Sequence, residues 1–193
     1  MNNVKAIIFD IYGVLGLNGW QAFKHKHFEN RPEAWDALRD IGQQVDAGTM
    51  ETHELVSAVA KVAGVSEAEV ERQLDDTVPN EPLIAFIRTL RPSYKIGVLS
   101  NASKPDIAHQ IFAEEDLALF DALITSYHVG YTKPDVRMFD TICRQLGVRP
   151  EECIFVDDQL RHLEAAQSVG MKMVQYESVQ QTIDDVSRLL TND

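Results

Sequence analysis

The chain has 193 residues, 45% hydrophobic and 25% charged, with 30 acidic against 18 basic side chains and a formal charge of −12. That length suits one domain, or one domain carrying a sizeable insertion, and such a chain buries roughly 70% of its unfolded surface without needing a disulfide or metal staple. The acidic balance argues against a nucleic-acid partner, which calls for a basic face, and no window approaches the roughly 18 apolar residues of a membrane span.

The first strand signal is KAIIFDI, residues 5 to 11, an apolar run read as a buried strand. Gly13, Gly16 and Gly19 mark the loop after it. From about Trp20 to Leu90 the pattern predicts helices only. One opens near Pro32, carries Trp35, Leu38 and Ile41, and stops at Gly48. A second runs from Thr52 to Ala63 with Leu55, Val56, Val59 and Val62 as its apolar stripe. A third opens at Ser66, with Glu69 at capping-box spacing, and a fourth near Pro82. The rhythm then changes. Strands at 94–100, 121–126, 152–157 and 172–176 alternate with helices from about Pro105, over Val136–Leu146, over Leu160–Val169, and to Leu190. Alternation of this kind implies parallel βαβ units. The expected fold is α/β, a Rossmann-like parallel sheet core of residues 1–15 and 81–193, interrupted by a helical insertion over 16–80.

In open parallel sheets, ligands bind at the carboxyl ends of the strands. Here strand one ends at Asp10, the next at Ser100-Asn101, the third leads to Lys133, and the fourth ends at Asp157-Asp158. Singly, each has a bland reading: Asp10 caps a turn, and Asp157-Asp158 caps a helix. Together, three carboxylates at one edge repel one another unless a cation is present. Mg²⁺ takes oxygen ligands and would relieve this. Mg²⁺, a lysine and small hydrogen-bond donors are what a transferring phosphoryl group requires. A carboxylate can accept that group as an aspartyl-phosphate.

Over essentially the whole chain, these motifs resemble the haloacid dehalogenase-like (HAD) hydrolase superfamily. IIFDIYGVL resembles its first motif, VLSNAS the second, GYTKPD the third and FVDDQLRHLEAAQSVGM the fourth. The resemblance implies Asp10 as nucleophile, Ser100 as hydroxyl donor and Lys133 as the lysine that orients the phosphate. It also implies a Mg²⁺ site built from Asp10, Asp157, Asp158 and the backbone carbonyl of Tyr12. The helical insertion looks like the cap of the subfamily that holds the dehalogenases and many small-molecule phosphatases. A small phosphorylated metabolite, such as a sugar phosphate, is the implied substrate. Monomer and homodimer both remain open.

One position departs from the family pattern. Most family phosphatases carry a second Asp two residues after the nucleophile; here it is Tyr12. A phenol, with a pKa near 10, can donate a hydrogen bond but is a poor base. Losing a positioned acid–base group costs about 10²–10⁴-fold. Three readings follow. A phosphatase acting on good leaving groups is preferred, because the metal-site residues remain. A 2-haloacid dehalogenase through Asp10 needs no acid, but an unneutralised Asp157-Asp158 pair would hinder the nucleophile. A binding domain without turnover is the third. The receiver domains of signalling share an Asp and a Lys, but their acidic pair comes early in the chain, the reverse of the order here.

His162 stands where relatives often carry Asn; it is expected on the helix surface, with a role beside the acidic pair as the alternative. In the insertion, Trp20 and Lys24 share the i,i+4 spacing that places both on one face, as a cationic, aromatic wall over an anionic substrate. Asn101 is expected to join them in binding. His25 and His27 would lie about 200° apart on a helix, which defeats a two-histidine metal site. Arg137 follows the third motif closely and is a candidate to reach the site or an interface. Cys143 and Cys153 form no CxxC pair and are expected to be packing residues in a reducing compartment. The apolar stretch before Asp10 is too short for a signal peptide, so a cytoplasmic location is expected.

Overall fold

The computed structural model describes residues 3–46, 49–102 and 106–191. Strand β1 (Ala6–Phe9) leads through a glycine-marked turn to a two-residue strand, β2 (Gly16–Leu17). Four helices follow: α1 (Trp20–Phe28), α2 (Pro32–Asp46), α3 (Thr52–Ala63) and α4 (Glu67–Asp75). Strand β3 (Val78–Pro79) then pairs antiparallel with β2, Gly16 opposite Pro79 and Leu17 opposite Val78. This ribbon was not foreseen, because two residues carry no periodicity to read.

The chain continues with α5 (Glu81–Leu90), β4 (Lys95–Ser100), α6 (Ile107–Ile111), α7 (Glu114–Leu117), β5 (Ala122–Thr125) and α8 (Ser126–Val129). It ends with α9 (Val136–Leu146), β6 (Cys153–Asp157), α10 (Leu160–Ser168), β7 (Lys172–Gln175) and α11 (Val179–Thr191). The helix expected from Pro105 is two short pieces, divided where Phe112 and Ala113 turn extended. Pro105 and the expected stop at Gly48 lie outside the described residues.

Five strands form one parallel sheet in the order β5-β4-β1-β6-β7. β1 is central, and the reason is in its side chains. Ile7 and Phe9 enter one buried cluster, under α5 and α11; Ala6 and Ile8 enter the other, under α9 and α10. A strand covered on both faces needs the unbroken apolar run seen in the sequence. The insertion has a separate cluster around Phe23, Phe28, Leu38, Val56, Val59 and Val70. Its helices are well delimited. Ser66 caps α4 by accepting from the Glu69 N–H, and Glu51 and Glu54 form a reciprocal cap on α3. Among the described residues no helix is long and apolar enough to cross a membrane.

Candidate active site

Parallel register places the charged residues. Phe9 lies opposite Val98 on one side and Val156 on the other. The next residue of each strand therefore brings Asp10 between Leu99 and Asp157, and the Asp10 N–H donates to the Val156 carbonyl at 3.0 Å. The sheet's carboxyl edge thus sets two carboxylates side by side, both essentially buried.

The buried ammonium of Lys133 lies between them, 2.9 Å from Asp10 Oδ1 and 2.7 Å from Asp157 Oδ2. Lys133 arrives on the loop before α9, and Asn101 holds that loop. The Asn101 amide donates to the Lys133 carbonyl at 3.0 Å and accepts from its N–H at 2.8 Å. The Asp10 carboxylate also accepts from the Ile11 N–H at 2.7 Å. Asp157 is saturated. The Gln159 N–H reaches Oδ1 at 2.8 Å, and His162 Nδ1 lies 3.1 Å from both oxygens.

His162 is only 1% exposed, not on the helix surface. It occupies the inward face of α10 with Leu163 and Ala166. With Nδ1 donating to a carboxylate, a neutral ring leaves Nε2 as an acceptor. That Nε2 is buried without a hydrogen-bond partner among the described residues, and His162 lines the cavity above the site. The i,i+4 spacing of His162 and Ala166 is the sequence signal that would have revealed the burial.

The electrostatics follow from burial. Loss of water, then the charges of Asp157 and Asp158, push Asp10 up to about 8 against the pull of Lys133. Burial and Asp157 push Asp158 up to about 6. Burial also acts against the charge of Asp157, but Lys133 and His162 outweigh it and hold that carboxyl below the usual range. Lys133 resists its own desolvation through Asp10 and Asp157 and stays charged. Burial lowers His162, with Asp157 opposing, so the ring is neutral near pH 7. Three carboxylates share one fully engaged ammonium, and the edge carries surplus negative charge.

A cavity of about 550 Å³ opens over this edge. Asp10, Tyr12, Asn101, Asp158 and His162 line it from below, and Trp20 and Lys24 from the insertion. Trp20 and Lys24 do share one helix, α1. Lys24 sits over the Trp35 ring at 4.8 Å; burial lowers its pKa while Asp158 raises it. Ser100 is fully buried at the end of β4, and its Oγ has no hydrogen-bond partner among the described residues. Gly13 has φ +82°, and a Cβ there would lie 3.0 Å from Asp158 Oδ2, so the turn after β1 meets the loop after β6 only through glycine.

Other candidates fall away from the site. Arg137 pairs with Asp135 and stacks over Tyr131 at 4.5 Å on the surface. His25 is exposed and faces Glu29, whereas His27 packs on Phe23. Cys143 and Cys153 are buried packing residues, their sulfurs 3.7 Å apart.

A family model described as haloacid dehalogenase-like hydrolase matches residues 4–170. The chain belongs to this family of enzymes. A drimenol cyclase of Aspergillus calidoustus is 27% identical over 98% of this chain, but the match spans only 36% of that relative's length. A sesquiterpene phosphatase of Aspergillus oryzae is 25% identical over 86% of this chain and 87% of its own. Among solved structures, a HAD-like family hydrolase from Porphyromonas gingivalis has a TM-score of 0.67 at 22% identity, covering 98% of this chain and 99% of that one. That likeness bears on the fold.

Proposed function

We propose that the protein is a Mg²⁺-dependent phosphatase that hydrolyses small phosphate esters through Asp10. The observation that carries the reading is the buried Lys133 ammonium held between Asp157 and Asp10, the latter lining the cavity together with Asp158. The reaction class also agrees with a full-length relative that is named a phosphatase.

The residues fit a hard divalent cation. The donors available are oxygens, the edge carries surplus negative charge, and Asp10 is pushed up to about 8 by burial and its acidic neighbours. Asp10, Asp157 and His162 each bring a ligand atom to within 4.8 Å of one another. Because both Asp157 oxygens already accept from protein donors, Asp10, Asp158 and the Tyr12 carbonyl would hold the ion, with Asp157 adding charge from behind. When bound, Mg²⁺ supplies positive charge that keeps Asp10 ionised and offsets the charge of the phosphoryl group.

Asp10 attacks phosphorus, the bond from phosphorus to the ester oxygen breaks, and the leaving oxygen takes a proton from solvent water and departs as the alcohol. Water then cleaves the aspartyl-phosphate, releasing phosphate and restoring the carboxylate. Lys133 fixes the attacking oxygen. The unpartnered Ser100 hydroxyl supplies a donor for a phosphoryl oxygen. Tyr12 stands where an acid would protonate the leaving alcohol; its phenol donates a hydrogen bond but removes no proton from water. Helices α1 to α4 act as a cap that excludes water, so that residues 16–80 form a cap over a core of 1–15 and 81–193.

Tyr12 favours a second reading, displacement of halide from a 2-haloacid, because halide leaves unprotonated. The test is hydrolysis of para-nitrophenyl phosphate with and without Mg²⁺, beside Asp10→Asn. Turnover that needs the metal and disappears in the variant supports the phosphatase. No turnover above the variant, with chloride released from 2-chloropropionate, overturns it in favour of the dehalogenase.

A further inference from the structure

The cavity over Asp10 does not stop at the polar edge. It continues between the helices of the insertion, where Trp20, Trp35, Leu38, Val45, Leu55 and Leu74 form its walls. Leu38 and Val45 are 3% and 4% exposed, so these walls belong to the interior of the helical layer. Four helices pack there around a space they do not fill. The whole cavity, polar edge included, measures about 550 Å³, inside the ~300–1,000 Å³ range of small-molecule sites. At roughly 30 Å³ per heavy atom, the share of a water in the liquid, it holds about 18 such atoms.

The polar groups on that wall are few, namely Asn18, Lys24, Arg39 and Thr52, and Asn18 and Arg39 are already paired. Asn18 donates to Thr77 and accepts from the Trp20 N–H. Arg39 pairs with Asp36 at 2.7 Å, and Lys24 lies over Trp35. A polyhydroxylated body placed there would lose water without enough replacement partners, and each buried group left unpaired would weaken binding. A hydrocarbon body would lose nothing and bury its surface.

We propose that the substrate is the phosphate ester of a hydrophobic alcohol of about ten to fifteen carbons, with its phosphate at Asp10 and its hydrocarbon body between α1, α2, α3 and α4. This replaces the sugar phosphate expected from sequence, and it rests on the phosphatase reading above. Trp20, Trp35 and Leu55 become specificity-determining residues. The junction between the two chemistries is Lys24, whose ammonium lies over the Trp35 ring within the electrostatic reach of Asp158.

The test is a homologous series of n-alkyl phosphates, butyl to dodecyl, below their aggregation limits and with Mg²⁺ present. The expected result is a kcat/KM that rises by up to about fourfold per added methylene until the cavity is full. Farnesyl phosphate should exceed ribose 5-phosphate by about 10²-fold or more. A flat series, or a preference for the ribose ester, overturns the proposal. Trp35→Ala, and separately Leu55→Gln, should each lower the decyl-to-butyl ratio about tenfold. A ratio unchanged in both variants also overturns it.

Should no phosphate ester turn over, binding of n-alkyl phosphonates to Asp10→Asn is read by calorimetry. Affinity that climbs with chain length then upholds the substrate class while the catalytic reading fails. Affinity independent of length sinks both.

Discussion

The sheet edge and the helical insertion face the same cavity but are held together by opposite means. At the edge directional bonds fix the charged groups from several sides. Backbone register fixes Asp10 beside Asp157, Lys133 spans both, and Asn101 and His162 hold these from behind. The insertion relies on non-directional packing of aromatic and aliphatic side chains around Val59 and Phe28. Directional bonds suit chemistry, where small displacements are costly. Non-directional packing can leave space, and space is what recognises a substrate's body.

Variants of the edge should therefore act sharply and those of the insertion mildly. The largest expected effect is on rate: Asp10→Asn should lower kcat by roughly 10⁴-fold or more, measured by phosphate release, since the amide removes the proposed nucleophile. Residual turnover within tenfold of wild type would break the assignment of the edge. Lys133→Met comes next. It leaves two buried carboxylates facing each other, and chemical denaturation should show a loss of about 3–5 kcal/mol in stability. A smaller loss would mean that the edge is wetter than its burial indicates.

Tyr12→Asp restores an acid–base group over the leaving oxygen. It should raise kcat for n-butyl phosphate by about 10²-fold and barely affect para-nitrophenyl phosphate, whose phenolate needs no proton. An equal gain on both substrates would place the limiting step elsewhere. The next effect is pH-dependent. Asp158 and Asp10 are raised to about 6 and about 8 by burial and acidic neighbours, so the folded state binds their protons more tightly than the unfolded chain. Metal-free stability is then fullest near pH 4 and declines as pH rises through those values, a fall of at least about 10 °C in Tm between pH 5 and 8. Saturating Mg²⁺ should abolish the fall, because the ion competes with those protons. A fall that persists in Mg²⁺ would place the ion away from Asp10 and Asp158. The smallest effect belongs to the insertion: Ser66→Ala removes the cap of α4 and should cost about 1 kcal/mol with little change in kcat.

The same contrast decided what was readable in advance. Strand ends are legible because an apolar run stops at a charge, and parallel topology sends those ends to one edge. Asp10, Asp157 and Asp158 could be brought together on that ground; Lys133, on the loop well past β5, was reached only through that loop and the family resemblance. The division of labour within the acidic pair was not legible, because it depends on where Lys133, Gln159 and His162 direct their donors. His162 reads as surface when its spacing to Asp157 is weighed alone. Its burial shows only when α10 is turned so that Leu163 and Ala166 face inward. The apolar interior of the insertion was hidden for another reason. A leucine that packs and a leucine that lines a void leave the same periodic stripe, and only coordinates separate them.

The ribbon of Gly16–Leu17 with Val78–Pro79 has a wider consequence. The two chain crossings between sheet and insertion are hydrogen-bonded neighbours, so the core meets the insertion as it would a closed hairpin. Closing a longer excursion adds only about 0.6 kcal/mol per doubling of its length. The catalytic half can thus tolerate wholesale exchange of what lies between those two points. New recognition can arise by recombination at a single junction while the inherited chemistry below is left untouched.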